Sequence, residues 1–165
     1  MTELTFCKKG CCTIHTIPYK YIHSDFEFKH KFNNSKAGVV FYDSSTNKVL
    51  VVQSRGMKWG PPKGSKEVYD ASIEDCAIRE VLEETGIQLT KEDLVHLEPI
   101  RINRAIYYFM NFPENKVSMA NIASDISGIT WIQLPCLKQL CESNTFQVNS
   151  HCRKILEKLF SLNLV

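Results

Sequence analysis

Three glutamates at helical spacing, Glu80, Glu83 and Glu84, carry the strongest chemical signal in the chain. At roughly 100° per residue, Glu80 and Glu84 lie about 40° apart around a helix and Glu83 about 60° to the other side of Glu80, so the three carboxylates share one arc. Crowded anions repel one another unless a cation sits among them. Carboxylate oxygens are hard ligands suited to magnesium or manganese, ions that also bridge phosphate oxygens and polarise water for attack at phosphorus. A phosphoanhydride is the natural target of such a set. Just upstream, Gly60-Pro61-Pro62-Lys63-Gly64 forbids regular structure and is predicted to be a loop. Gly64 has no side chain to keep backbone groups away from a metal or a phosphate, and Lys63 adds positive charge beside it. On residue type alone, the commoner meaning of such a charge run is an ordinary amphipathic helix with solvated glutamates.

The helix that must carry these acids is predicted to start near Ser72. Ser72 and Asp75 make an S-x-x-D capping pattern, and Glu74 and Asp75 place negative charge at the positive helix end. Gly86 stops it. Ile73, Ala77, Ile78, Val81 and Leu82 fill the adjoining arc, so the helix packs on a sheet with its acidic edge at the rim of the core. Val39-Val40-Phe41-Tyr42 and Val49-Leu50-Val51-Val52, separated by the polar turn Asp43-Ser44-Ser45-Thr46-Asn47, predict a hairpin with one or both strands buried. Strands are also expected around 95–102 and 104–112 and at Ile129-Thr130-Trp131-Ile132. Helices are expected near 135–142 and 150–161, the second with Ile155, Leu156, Leu159 and Phe160 in one stripe. Residues 1–35 look like irregular strands, too few for a separate domain, so one domain over 1–165 carries them as an N-terminal extension packed on it.

With 20 Lys and Arg against 18 Asp and Glu the chain is nearly neutral, which argues neither for nor against a polyanionic partner. No apolar run approaches the roughly 20 residues that span a bilayer, so no membrane partner is expected. Seven cysteines, an odd number, and an N-terminus without a secretory pattern are consistent with reduced thiols and a cytoplasmic, intracellular location. Cys7, Cys11 and Cys12, with His15 nearby, invite a zinc reading. Their spacing lacks the paired C-x-x-C knuckles of common zinc sites, and the favoured expectation is small thiols packed as modest hydrophobes.

Residues 64 to 87 resemble the Nudix box, G-x5-E-x7-R-E-U-x-E-E-x-G-U with U aliphatic. Arg79-Glu80-Val81-Leu82-Glu83-Glu84-Thr85-Gly86-Ile87 matches every specified position of its second half. The first half departs: Gly64 is one residue farther from Arg79 than the box prescribes, and the first glutamate falls at Ala71 or, allowing an insertion, at Asp70. The resemblance implies an α/β fold, an α/β/α sandwich around a central mixed sheet, and a magnesium- or manganese-dependent pyrophosphohydrolase. It implies Glu80 and Glu84 as principal metal ligands, with Gly64 beside the ion, Glu83 as a further ligand or base, and Arg79 as a structural partner for a carboxylate.

A narrower resemblance concerns the substrate. Lys58-Trp59-Gly60-Pro61-Pro62-Lys63-Gly64 together with residues 75–86 is similar to the catalytic domain of the eukaryotic mRNA-decapping enzymes and their large-DNA-virus counterparts. Asp125-Ile126-Ser127-Gly128-Ile129-Thr130-Trp131 is similar to that group's E-I-x-x-I-x-W segment, whose acid binds metal or serves as a base, here one methylene shorter. The resemblance thus implies Glu83, Glu84 and Asp125 as catalytic acids, with Glu83 or Asp125 taking a proton from water. Arg55, Lys58 and Lys63 are candidates for phosphate contact, and Arg101, Arg104, Arg153, Lys154 and Lys158 for an RNA backbone. Trp59, Tyr107 or Tyr108 are candidates to stack on a base, although aromatics in apolar runs are more often core. Capped RNA leads as the substrate, then a dinucleoside polyphosphate or nucleotide, then an inositol pyrophosphate. The competing class is a binding module that keeps the fold without turnover.

Overall fold

The structure is a computed structural model that describes residues 3–7, 9–16, 35–54, 58–114, 126–144 and 146–161, with residues 3–6 by their backbone alone. Within these, the chain runs β1 (Glu3–Phe6), β2 (Thr13–Thr16), β3 (Lys36–Asp43), β4 (Lys48–Ser54), β5 (Trp59–Gly60), β6 (Lys63–Ser65), α1 (Ile73–Thr85), α2 (Lys91–Val95), β7 (Ile100–Ile102), β8 (Ala105–Asn111), β9 (Ile126–Gln133), α3 (Leu134–Glu142) and α4 (Ser150–Ser161). The strands form one sheet in the order β1-β2-β9-β4-β3-β8-β7, with β5 on β4 and β6 on β3. Since β3 and β8 run parallel while the other pairs are antiparallel, the sheet is mixed.

Alternation along the strands builds two cores. Val39, Phe41, Leu50 and Val52 point to one face, where they meet Cys76, Ala77 and Val81 of α1 and Leu94 of α2. Val40, Val49 and Val51 point to the other, against Leu137 and Leu140 of α3 and Ile155, Leu156 and Leu159 of α4. Successive residues of a strand face opposite ways, so one run of β-branched residues serves both helical layers. This is the expected α/β/α sandwich. Each fully buried Val, Leu or Ile contributes roughly 1.5–3 kcal/mol relative to exposure.

The predicted hairpin is β3 and β4, and its turn closes on an aspartate. Asp43 accepts hydrogen bonds from the Ser45 and Thr46 amides, and Asn47 takes a left-handed φ of 55° before β4 begins. The two strands pair only at Tyr42 with Val49 and Asp43 with Lys48. Beyond the turn they splay, and the segment from Trp59 to Ser65 enters the gap, β5 pairing with β4 and β6 with β3. Residues 60–64, expected as pure loop, therefore contribute to two short strands. Pro61 and Pro62 form only the bend between them, because proline cannot donate to a ladder but its neighbours can.

Two further expectations need correction. Residues 95–102 are not one strand: Thr90 and Asp93 form a capping box that starts α2, and only Ile100–Ile102 is extended. The T-x-x-D signature for this helix was present in the sequence. Leu82, placed on the buried arc of α1, is 43% exposed, while Cys76 takes a core position. The remaining elements form where periodicity put them. The N-terminal residues supply the β1–β2 hairpin, whose second strand pairs with β9 at His15 with Ile129 and Thr16 with Gly128.

Candidate active site

α1 presents the acids, and both of its ends are fixed by local chemistry. The Ser72 hydroxyl accepts from the Asp75 amide while the Asp75 carboxylate accepts from the Ser72 amide, a complete capping box. Gly86 ends the helix at φ 72°, its amide bonded to the Leu82 carbonyl. With Ala77 and Val81 pressed into the sheet, the rotation of the helix is set. Glu84 is buried, Glu80 nearly so, and Glu83 half exposed.

The two inner acids face the β6 backbone. Glu84 Oε2 accepts the Lys63 amide at 2.8 Å. Glu80 lies directly over Gly64: a Cβ added there would stand 2.1 Å from the Glu80 carboxyl atoms. Gly64 is thus required by the close approach of a carboxylate. Glycine at this point was legible from the sequence, and the atom it makes room for was not.

Arg79 binds the site together. Its Nε and Nη2 donate to the two oxygens of Asp70 at 3.0 and 2.8 Å, Nη2 also donates to the Ser65 carbonyl, and Nη1 donates to Glu80 at 2.8 Å and Glu83 at 3.2 Å. Asp70 is buried and also accepts the Glu67 amide. The hydrogen bonds from Arg79 hold the Asp70 carboxyl below its usual range, and Asp70 first, then Glu80, holds Arg79 above its own. Of the two positions open for the first acid of the box, Asp70 is the one that meets Arg79. Its forked pairing is the geometry in which a guanidinium grips a carboxylate hardest.

Of the proposed phosphate contacts, Lys63 adjoins the acids and Lys58 is exposed just before β5. Burial, then the charge of Lys36, lowers the Lys63 pKa, opposed by Glu84 and Glu80. Arg55 and Asp125 lie outside the described residues. The aromatic candidates are all buried, the commoner outcome for aromatics in apolar runs. Trp59 is buried and stacked on Phe146 with ring centroids 4.6 Å apart. Tyr107 is buried with its hydroxyl 3.1 Å from His151 Nδ1, and Tyr108 is buried donating to Glu74. All three are core residues: Tyr107 and Tyr108 face opposite sides of a sheet that is covered on both, and Trp59 joins the same core as Tyr107.

Three residues beside the site escaped the sequence reading. Tyr69 is 67% exposed with the Arg79 guanidinium 5.5 Å from its ring centroid. Lys36, exposed and paired in register with Ser65, places its charge next to Lys63. His151 is pushed down by burial and then by the charges of Lys63, Lys36 and Lys154. No one-dimensional pattern joins Lys36, Lys63 and His151. An exposed aromatic in the 64–79 segment was the only available signal for Tyr69.

A sequence model of the NUDIX domain matches residues 33–144. The chain is 37% identical over 137 residues to the putative hydrolase 111R of Invertebrate iridescent virus 3, covering 81% of this chain and 79% of that protein. It is 30% identical over 125 residues to mRNA-decapping enzyme subunit 2 of Arabidopsis thaliana, covering 70% of this chain but 33% of the plant protein. Among solved structures it is similar to a bifunctional NMN adenylyltransferase/ADP ribose pyrophosphatase from Francisella tularensis, complexed with AMP and a Mn ion. That likeness has a TM-score of 0.58 at 23% identity, over 81% of this chain and 42% of that one. The chain belongs to the Nudix hydrolase family. Members of this family generally use divalent metals, and the donor set here fits one: carboxylates crowded at a glycine backbone, hard oxygens throughout.

Proposed function

We propose that this chain is a decapping hydrolase that cleaves the phosphoanhydride linkage of an RNA 5′ cap, leaving cap nucleoside diphosphate and 5′-monophosphate RNA. The observation that carries hydrolysis is the seating of Glu80 over Gly64 beside Glu84 on the Lys63 amide, which brings separate acids to one backbone edge. The similarity to a decapping subunit over 70% of the chain supports the cap as substrate. Glu80 and Glu84, with the backbone at Gly64, would hold magnesium or manganese. When bound, the ion neutralises phosphate charge and makes water a better nucleophile.

The chain's own residues supply the rest. Glu83, half exposed and held by Arg79, takes the proton from the attacking water, with Asp125 as a second candidate for that role. Arg79, fixed by Asp70, orients both Glu80 and Glu83. Lys63 and Lys36, with Lys58 and Arg55, meet the phosphates, and Lys154 extends that charge toward an RNA backbone. Tyr69, with its ring largely open to solvent, replaces Trp59 and Tyr107 as the base-stacking candidate.

The test offers the protein cap-labelled RNA, diadenosine tetraphosphate and ADP-ribose side by side, with magnesium and then manganese. Release of labelled cap nucleoside diphosphate by the intact chain, reduced by about 10² or more in Glu83→Gln with the fold kept, supports the proposal. Tyr69→Ala is expected to raise KM for capped RNA by about tenfold, the value of one stacked base. Cleavage of a small nucleotide with no action on capped RNA overturns the cap as substrate. Silence on all three, or indifference to Glu83→Gln, moves an inositol pyrophosphate substrate or a binding role ahead of it.

A further inference from the structure

The three cysteines near the N-terminus have a fourth companion that the sequence hid. Cys7 and Cys12 flank the turn between β1 and β2, Cys11 sits within it, and Cys136 lies in α3, 125 positions beyond Cys11. Their four sulfurs all lie within 4.8 Å of one another. Four of the separations are 3.4 Å for Cys11 with Cys136, 3.5 Å for Cys7 with Cys11, 3.7 Å for Cys11 with Cys12 and 3.9 Å for Cys7 with Cys136. A tetrahedral zinc with Zn–S bonds of about 2.3 Å requires sulfurs about 3.8 Å apart; those four pairs lie within about 0.4 Å of it, and no pair is farther apart than 4.8 Å. A disulfide would need about 2.05 Å.

We propose that Cys7, Cys11, Cys12 and Cys136 form a tetrathiolate site for one zinc ion, which clamps the β1–β2 hairpin to α3.

The surrounding backbone is shaped for such a site. The Cys7 amide bonds to the Cys12 carbonyl, and the Gly10 amide bonds to the Cys7 carbonyl. Gly10 takes a φ of 68°, the left-handed turn that folds Cys11 back onto Cys7. The Gln133 amide donates to Cys12 Sγ at 3.3 Å, the kind of outer contact that steadies a metal-bound thiolate. Cys7, Cys12 and Cys136 are buried and Cys11 is exposed, so an ion would be enclosed by the protein yet reachable from solvent at one ligand.

The clamp would reinforce a narrow attachment of the hairpin to the sheet. Its strands are four residues each, and β2 pairs with β9 at only two positions. Short two-stranded hairpins are marginal by themselves in water. The site is also separate from the catalytic one. Cys7, Cys12 and Cys136 belong to the core on the α3 and α4 face of the sheet, whereas α1 packs on the opposite face. Soft thiolates select zinc over magnesium or manganese, so the two centres would not compete for one ion.

The test measures metal content of the full chain, expressed with zinc supplementation and purified under reducing conditions without chelator. About one zinc per chain is expected, displaced by a mercurial thiol reagent, with cobalt substitution giving the intense visible bands of a tetrahedral thiolate site. Cys11→Ser, at the exposed ligand, and Cys136→Ser, on the other element, should each lower zinc affinity by about tenfold or more, since even the loss of an outer partner of a ligand costs about 10–100-fold. Cys141→Ser, outside the cluster, should retain it. Circular dichroism separates loss of metal from loss of fold. An unsubstituted chain that carries no zinc and binds no cobalt when reduced overturns the proposal. So does zinc content unchanged in folded Cys11→Ser and Cys136→Ser, or four thiols that oxidise into disulfides without ever excluding a thiol reagent in the presence of zinc.

Discussion

Gly64 and Glu80 share space that only one of them can fill. The Cβ of an alanine at 64 would stand 2.1 Å from the Glu80 carboxyl, and the flexible end of Glu80 is what would move. Gly64→Ala is therefore expected to leave the melting temperature nearly unchanged while lowering turnover by about 10², the cost of misplacing a reacting group by about 1 Å. Comparing steady-state kinetics with thermal unfolding separates the two. Asp70 makes the opposite prediction. It is buried and holds Arg79 through two hydrogen bonds, so Asp70→Ala leaves part of a half-buried guanidinium without its carboxylate. A loss of about 3 kcal/mol in denaturant unfolding is expected, accompanied by reduced activity because Glu80 and Glu83 lose a fixed partner. Equal stability of the variant and its parent would show that Glu80 and Glu83 suffice for Arg79.

At the scale of elements, the turn between β3 and β4 carries a measurable acid sensitivity. Asp43 accepts the Glu114 amide, the Ser45 hydroxyl and the Ser45 and Thr46 amides, which hold its pKa down to about 2 from 3.8. A carboxyl depressed in the folded state contributes stability above its unfolded pKa and loses it as pH falls toward its folded one. Stability should decline as pH drops from about 4 to about 2, and Asp43→Asn should flatten that limb. Urea unfolding at stepped pH reads this directly, and an unaltered acid limb in the variant would assign the loss to other carboxyls. This turn also decides where β3 and β4 part, and hence where β6 can enter to meet α1.

Across the whole molecule, the sheet separates the acids of α1 from the α3 and α4 layer, which near the site contributes His151 and Lys154 of α4. α1 works on one face while α3 and α4 cover the other, so damage to the second layer should reach stability before catalysis. Leu137→Ala, at a side chain with no solvent exposure, is expected to lose about 2–5 kcal/mol by cavity formation. Its kcat and KM should stay near those of the parent at temperatures where it remains folded. A selective fall in kcat without destabilisation would show that the far layer positions the acids. The sequence by itself determined the longer elements and the acidic arc. Ser72, Gly86 and the spacing of Glu80, Glu83 and Glu84 act within a few residues, and local rules read them. Short strands inside a proline-rich stretch were hidden because β-pairing depends on a distant partner rather than on local propensity. Only the tertiary structure decided that Asp70 meets Arg79, that Trp59 and Tyr107 turn inward while Tyr69 stays exposed, and that Cys136 joins Cys7, Cys11 and Cys12. Each of these is a contact set by how the sheet folds around its layers, and such contacts leave no period in a chain read one residue after another.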